Sequence, residues 1–261
     1  MSEQVLHVAR NGLRATVTMA RPEVRNAFNA ELIAALHDAF VALATDASVR
    51  FVVLAGAGPT FSGGADINWM RASLDLSEDD NIRDAEAMAA MFRAIDRCPK
   101  PVVARVQGAA LGGGMGLCAV ADIVVAAEDA LFGFTEVKLG ILPAVISPFV
   151  IPKIGISHAR ALFLTGERFD ARRAAAIGLV HRVVAPDALD AELDALGAEF
   201  ASTGPNAVAA AKAIVPAVAA AEPDAATLLT TRAIARARTS EEGQEGLRAF
   251  LERRDPAWRG R

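Results

Sequence analysis

The fold is decided by one stretch of the chain, Val102-Val103-Ala104-Arg105-Val106-Gln107-Gly108-Ala109-Ala110-Leu111-Gly112-Gly113-Gly114-Met115-Gly116-Leu117. An apolar, β-branched segment leads into three consecutive glycines and then into small residues that are compatible with a helix. Glycine lets a backbone approach a ligand closely, and the start of a helix presents unpaired N–H groups and a positive dipole end. The stretch therefore predicts a strand, a glycine turn and a helix N-terminus suited to an anion, or to an oxygen that becomes one during a reaction.

A second glycine-rich turn supports this interpretation. It reads Phe61-Ser62-Gly63-Gly64-Ala65-Asp66-Ile67 and follows another apolar strand at residues 51–54. Two such turns could each supply one backbone N–H to a single oxygen. The alternative is that both turns only allow strand and helix to pack closely.

The composition limits the classes of protein to consider. The chain has 261 residues, of which 53% are hydrophobic and 22% charged, and this indicates a compact globular protein rather than a disordered one. Apolar runs are too short to span a bilayer, and residues 1–4 lack the features of a secretion signal. Two cysteines without a metal-ligand pattern favour a reducing cytoplasm and no metal site. The net charge of −4 argues against general nucleic-acid binding.

Local patterns predict most of the elements. Two short strands flank a turn at Asn11-Gly12, and Asn29 caps a helix whose apolar residues Leu32, Ile33, Leu36, Phe40 and Leu43 share one face. A polar stretch at residues 75–86 is expected to be mobile or variable and to lead into a helix over residues 85–97. After about Pro186 the chain becomes Ala-rich and helical, with too few large residues for a core of its own.

The motifs and their order resemble the enoyl-CoA hydratase/isomerase family, also called the crotonase family. Besides the two glycine turns, the resemblance rests on three further motifs, Arg21-Pro22-Glu23-Val24-Arg25-Asn26-Ala27, Phe132-Gly133-Phe134-Thr135-Glu136-Val137-Lys138-Leu139-Gly140 and Ala249-Phe250-Leu251-Glu252-Arg253-Arg254. It covers nearly the whole chain. It implies an α/β fold with a ββα spiral core over residues 1–196 and a C-terminal helical region over residues 197–261 that forms trimers, which often pair into hexamers.

The resemblance also implies a site for an acyl-CoA thioester. Its oxyanion hole would use the N–H groups of Ala65 and Gly113, and Glu136 would be the acid/base residue; without the resemblance, pairing of Glu136 with Lys138 is the plainer interpretation. No separate cofactor is implied, because coenzyme A is part of the substrate. Asp66 is also expected to begin a helix. The other substrate-binding residues implied are Arg25, Ala27, Gly64, Asp66, Ile67, Gly112, Gly116, Phe250 and, from a neighbouring subunit, Arg253.

Gly116 departs from the hydratase pattern, which has a glutamate at this position. A lone glutamate keeps an isomerase interpretation open, because one base can carry a proton from C2 to C4. The sequence Asn68-Trp69-Met70 and the ending Arg253-Arg254-Asp255-Pro256-Ala257-Trp258 resemble a bacterial branch of methylglutaconyl-CoA-type hydratases of leucine and acyclic terpene breakdown. In that branch, Gly116 would leave room for a bulkier acyl chain.

Three functions follow as alternatives. The first is hydration of a 2-enoyl-CoA with a branched or carboxylated acyl chain, such as 3-methylglutaconyl-CoA. The second is Δ3,Δ2-enoyl-CoA isomerisation by Glu136 alone. The third is a non-catalytic acyl-CoA-binding or RNA-binding relative. The helix over residues 31–43 contains no Lys or Arg, and this argues against RNA binding.

Overall fold

The computed structural model describes residues 4–259. The expectation about a secretion signal refers mainly to residues 1–3, which lie outside the described residues. In chain order the strands are β1 (Leu6–Asn11), β2 (Arg14–Met19), β3 (Phe51–Gly56), β4 (Val102–Val106), β5 (Ala109–Leu111), β6 (Ile123–Ala127), β7 (Leu131–Gly133), β8 (Arg168–Asp170) and β9 (Arg182–Val184). The helices are α1 (Ala30–Thr45), α2 (Ile67–Ser73), α3 (Glu78–Asp96), α4 (Gly113–Val120), α5 (Ser147–Thr165), α6 (Ala171–Ala176), α7 (Leu189–Ser202), α8 (Pro205–Ala219), α9 (Pro223–Thr239) and α10 (Glu241–Glu252).

Two sheets form the centre of the fold. The larger sheet has the strand order β1-β2-β3-β4-β6-β9, in which β1 and β2 are antiparallel and the other pairs are parallel. The smaller sheet has the order β5-β7-β8. Every residue of β3 is buried, as is usual for strands of a parallel sheet that are covered on both faces. The hairpin expected around Asn11-Gly12 is confirmed by the pairing of β1 with β2.

The stretch from residue 102 to 111 is two strands, one in each sheet, rather than a single strand. Gly108 separates β4 from β5 with a φ of +65°, and a Cβ placed on it would lie only 2.0 Å from the carbonyl oxygen of Pro59. Only glycine fits both the backbone angle and the space. The chain therefore leaves the larger sheet at this residue and delivers the following glycines to the edge of the smaller one.

The helices α1 and α3 pack on each other beside the sheets. The expected cap is confirmed, since the Asn29 side chain accepts a hydrogen bond from the N–H of Leu32, and the five expected apolar residues of α1 are all buried. The predicted helix start at residue 85 is wrong. Helix α3 already begins at Glu78, because Ser77 and Asp80 form a reciprocal capping box ahead of an acidic first turn.

The last helices carry little of the core. Helix α7 packs on the main body through Leu189, Leu193 and Leu196, so the domain boundary expected at residue 196 falls inside a helix. Helices α8 and α9 contain no fully buried residue, and α10 buries only Ala249. Within residues 4–259, no helix combines the length and apolar character needed to cross a membrane.

Candidate functional site

The two glycine turns meet through backbone hydrogen bonds. Phe28 forms a parallel bridge with Ala65, in which Phe28 N–H donates to Gly64 O at 2.7 Å and Asp66 N–H donates to Phe28 O at 2.9 Å. In a parallel bridge the central residue of the partner uses none of its own groups. The N–H of Ala65 is therefore directed away from Phe28, and within residues 4–259 it has no hydrogen-bond acceptor.

The glycine triplet supplies a second donor of the same kind. Gly112 has a φ of +49°, and its N–H donates to Gly133 O at 3.0 Å, which ties the turn to β7. Helix α4 begins at Gly113, whose N–H has no acceptor in the described part of the chain. The confirmed helix start thus presents an unpaired N–H, as the first turn of a helix must.

Glycine is required where the turns touch. A Cβ on Gly64, which has a φ of +94°, would lie 3.0 Å from Leu111 O. A Cβ on Gly113 would lie 2.5 Å from Cε2 of Phe28. A side chain at either position would push the turns apart, so glycine here holds the N–H groups of Ala65 and Gly113 at one cleft.

An ion pair that is largely shielded from solvent supports the glycine turn at residues 61–67. Asp66 caps α2 by accepting from the N–H of Asn68 at 2.8 Å, and it pairs with Arg21 at 2.8 Å. Burial raises the pKa of Asp66, but the hydrogen bonds from Arg21, Asn68 and Trp69 outweigh it and hold that pKa below its usual range. The expected helix-capping role of Asp66 is confirmed.

Glu136 lies at the same cleft, in an environment that shifts the pKa of its carboxyl group. It opens a short 3-10 turn, Glu136–Leu139, just after β7, and a Cβ placed on Gly112 would lie 3.5 Å from its Oε1 atom. Its Oε2 atom is buried and has no hydrogen-bond partner within residues 4–259. Burial raises the pKa of this carboxyl group. Lys138 is exposed, and the hydrogen bonds of the described residues do not join it to Glu136.

The cleft has a volume of about 320 Å³ and brings together Ala65, Gly112, Gly113 and Glu136. Its walls are mainly apolar, and the side chains that line it include Phe28, Trp69, Met70, Met88, Leu142 and Ile146. The wall formed by α3 was not predicted from the sequence. A helical spacing of the lining residues was present in the sequence, at Asn81, Asp84, Ala85 and Met88. Part of this pattern lies in the stretch that was expected to be mobile or variable.

The structure contradicts the expectation that Gly116 leaves room for an acyl chain. A Cβ on Gly116 would lie 2.4 Å from Cγ2 of Ile146 and 2.6 Å from Cζ of Phe92. Both side chains are buried, and Ile146 itself lines the cleft. Gly116 therefore lies behind the cleft wall, where its missing side chain makes room for Phe92 and Ile146.

The remaining expected residues do not line the cleft. Ala27 is buried and its carbonyl accepts a hydrogen bond from Arg21. Arg25 is exposed in a left-handed conformation, and its carbonyl holds the N–H of Gly63 at 2.7 Å. Ile67 is exposed at the start of α2. Phe250 and Arg253 lie on and after α10 and do not line this chain's own cleft.

Replacing Gly116 by alanine should lower the free energy of unfolding by about 1–3 kcal/mol, because the added methyl group overpacks the contact with Phe92 and Ile146. Chemical denaturation of Gly116→Ala, Ile146→Ala and the double variant measures this. The double variant should recover part of the loss, since shortening Ile146 removes the nearest clash. If the losses of the two single variants simply add up in the double variant, the contact between position 116 and Ile146 is contradicted.

The pH dependence of stability should report on Glu136. Because burial raises its pKa above 4.5, the folded protein binds this proton more tightly than the unfolded chain, and stability falls as pH rises through that window. Glutamine does not ionise. The free energy of unfolding of Glu136→Gln, relative to the original protein, should therefore increase from pH 4 to pH 8, with Glu128→Gln as the exposed control. A pH-independent difference would contradict the raised pKa.

Comparisons with known proteins agree with this geometry. Residues 10–261 match the family model described as enoyl-CoA hydratase/isomerase. An enoyl-CoA hydratase structure from Shewanella pealeana superposes with a TM-score of 0.94 at 37% identity, over 97% of this chain and 96% of that one. Pseudomonas aeruginosa AtuE superposes with a TM-score of 0.94 at 38% identity, over 98% and 99%.

A relative named for a different activity matches as well. The carnitinyl-CoA dehydratase of Salmonella enteritidis is 33% identical over 267 residues, covering the whole of both chains. The family model alone covers nearly all of this chain, and the structural neighbours confirm the expected crotonase-type α/β fold with its C-terminal helices. The chain belongs to the enoyl-CoA hydratase/isomerase family, and its homologues indicate an enzyme.

Proposed function

We propose that this protein adds water to the double bond of a 2-enoyl-CoA thioester. One observation carries the proposal: the same cleft is lined by Ala65 and Gly113, whose N–H groups have no acceptor within residues 4–259, and by Glu136, whose Oε2 atom has no hydrogen-bond partner there. The first two suit an oxygen that gains negative charge, and the third suits a proton acceptor. Nothing further than an acyl-CoA and water is needed, so the proposal includes no separate cofactor.

The two N–H groups would bind the thioester carbonyl oxygen. When water attacks C3, electrons move through the conjugated system onto this oxygen, and an enolate forms. Donors held in place before the reaction stabilise that charge without reorganising. Losing one such donor costs on the order of 10²–10³ in rate in comparable sites. The tight fit of Gly113 against Phe28 supports this role because it fixes the N–H direction.

Glu136 would carry out both proton transfers. It accepts a proton from the attacking water as the oxygen–carbon bond forms at C3, and it then returns a proton to C2 of the enolate on the same face. Its raised pKa supports this exchange, since a base and acid works best when its pKa is near the working pH. The apolar walls of the cleft help by limiting competing solvent.

Coenzyme A would extend from the cleft past the motif at residues 21–27. Gly64 and Gly112 line the cleft, Ala27, Asp66 and Ile67 lie within two residues of its lining residues Phe28 and Ala65, and the exposed Arg25 would meet a phosphate. Arg253 and Phe250 would act from a neighbouring subunit in a homotrimer or homohexamer. The proposal places the enzyme in the cytoplasm, with no nucleic-acid or membrane partner, and α1 contains no Lys or Arg that would favour RNA.

The acyl chain is the finer part of the proposal. The resemblance to the methylglutaconyl-CoA-type branch supports a branched or carboxylated chain, of which 3-methylglutaconyl-CoA is the example. The name of the carnitinyl-CoA relative shows that acyl groups vary among similar proteins. The substrate therefore has to be identified with a panel.

Isomerisation of a 3-enoyl-CoA is the second candidate, and one observation favours it. Phe92 and Ile146 fill the space where a side chain at position 116 would project, so a second carboxyl group has no place there. An isomerase needs only one base, which removes a proton at C2 and returns it at C4. A hydratase with the same wall must hold its water through Glu136 alone.

Replacing Glu136 by glutamine should reduce kcat by about 10²–10⁴-fold, because the shape is kept and the base is lost. The assay uses crotonyl-CoA, 3-methylglutaconyl-CoA, its uncharged analogue 3,5-dimethyl-2-hexenoyl-CoA and a 3-enoyl-CoA. We expect turnover of a 2-enoyl-CoA and nearly unchanged binding of a saturated acyl-CoA by the variant. Near-normal kcat in Glu136→Gln would refute the assignment of the base. Activity on the 3-enoyl-CoA alone would establish the isomerase.

The protein should be a trimer or a pair of trimers in solution. Helix α10 exposes three apolar side chains, Leu247, Phe250 and Leu251, of which the last two are about four-fifths exposed, and such a face favours contact with another surface. Light scattering at micromolar concentration should give three or six times the chain mass of 27.3 kDa. A species near 27.3 kDa would contradict the prediction.

A further inference from the structure

The wall formed by α3 places one carboxylate in the cleft. Asn81, Asp84, Ala85 and Met88 line the cleft from one face of this helix, and Phe92, one turn beyond Met88, is buried against the position of Gly116. At 1.5 Å per residue, Asp84 lies about 6 Å along the helix from Met88 and about 12 Å from Phe92. Asp84 therefore stands toward the outer part of the wall and is half-buried.

The charged side chains that line the cleft are all acidic. Asp84 and Glu136 are its two acidic residues, and among the described residues that line it there is no Lys, Arg or His. Neither carboxylate takes part in the ion pairs formed within residues 4–259. Arg83, the neighbour of Asp84 in sequence, pairs with Asp80 outside the cleft. A carboxylate bound here would find no counter-ion among the described residues that line the cleft.

We infer that Asp84 is a specificity-determining residue that disfavours acyl chains ending in a carboxylate and so selects uncharged, branched chains. This inference rests on the proposed function, because it assumes that an acyl-CoA chain occupies the cleft. Of the two kinds of chain that the branch resemblance leaves open, it selects the branched chain and argues against the carboxylated one, 3-methylglutaconyl-CoA included. A carboxylate moved from water into this cleft loses hydration and meets a like charge. Specificity of this kind comes from a repulsive element rather than from an added contact.

Two substrates of matched shape isolate the charge. One is 3-methylglutaconyl-CoA, and the other is 3,5-dimethyl-2-hexenoyl-CoA, in which an isopropyl group replaces the terminal carboxylate. The original protein should show at least tenfold higher kcat/KM for the uncharged substrate. Asp84→Asn, which keeps the size and removes the charge, should raise kcat/KM for the carboxylated substrate about tenfold and change the uncharged one far less. Asp84→Lys should raise it further.

Glu86→Gln is the matched control, because it removes one negative charge from an exposed position of the same helix. It should leave the ratio of the two kcat/KM values unchanged. The inference is overturned if the original protein uses both substrates equally well, if it prefers the carboxylated one, or if Asp84→Asn and Glu86→Gln alter the ratio to the same extent.

Binding separates this inference from the proposed reaction. The saturated analogues 3-methylglutaryl-CoA and 3,5-dimethylhexanoyl-CoA undergo no hydration, so calorimetric titration measures charge selection alone. Tighter binding of the uncharged analogue that is reduced in Asp84→Asn supports the inference even where no 2-enoyl-CoA is turned over. Turnover with equal binding of both analogues refutes the inference and leaves the proposed function intact. Failure of both analogues to bind overturns both.

Discussion

The close contact of two glycine turns is the constraint on which the site depends. A Cβ on Gly64 would crowd the backbone of Leu111, and a Cβ on Gly113 would clash with the ring of Phe28. The bridge between Phe28 and Ala65 then orients one free N–H, and the start of α4 orients the other. Because both donors belong to the backbone, their direction is fixed by the packing of the strands and not by flexible side chains. The larger sheet, the Asp66–Arg21 pair and the exit of the chain at Gly108 all serve to hold these turns together.

The site is arranged for chemistry at some expense of stability. A carboxyl group with a buried, unpartnered oxygen destabilises the folded chain when it ionises. Elsewhere in the described chain, buried polar side chains are satisfied, as with Asn26, which bonds the backbone of Arg21, Ala57 and Thr60. Departures from such satisfaction concentrate at functional sites. The environment of Glu136 therefore agrees with a group that exchanges protons rather than with one that supports the fold.

Two features of the cleft wall bear on the proposed reaction. Ile146 and Phe92 fill the space beside Gly116 with apolar groups, so the proposed proton transfers would rest on Glu136. Asp84 adds negative charge farther along the same helix face that carries Phe92. In the proposed function the first feature bears on how water or a proton is handled, and in the inference about Asp84 the second bears on which acyl chain is admitted.

The sequence by itself determined what depends on near neighbours in the chain. The hairpin at Asn11-Gly12, the Asn29 cap and the buried face of α1 follow from turn chemistry and helical period, and the order of the glycine motifs identified the family. Only the tertiary structure decided what depends on residues distant in sequence. Gly108 divides one apolar run between two sheets because Pro59 lies against it, and Gly116 is needed because Phe92 and Ile146 converge on it. Periodicity records which side of an element is apolar, but it does not record which distant atoms occupy the space beside a glycine.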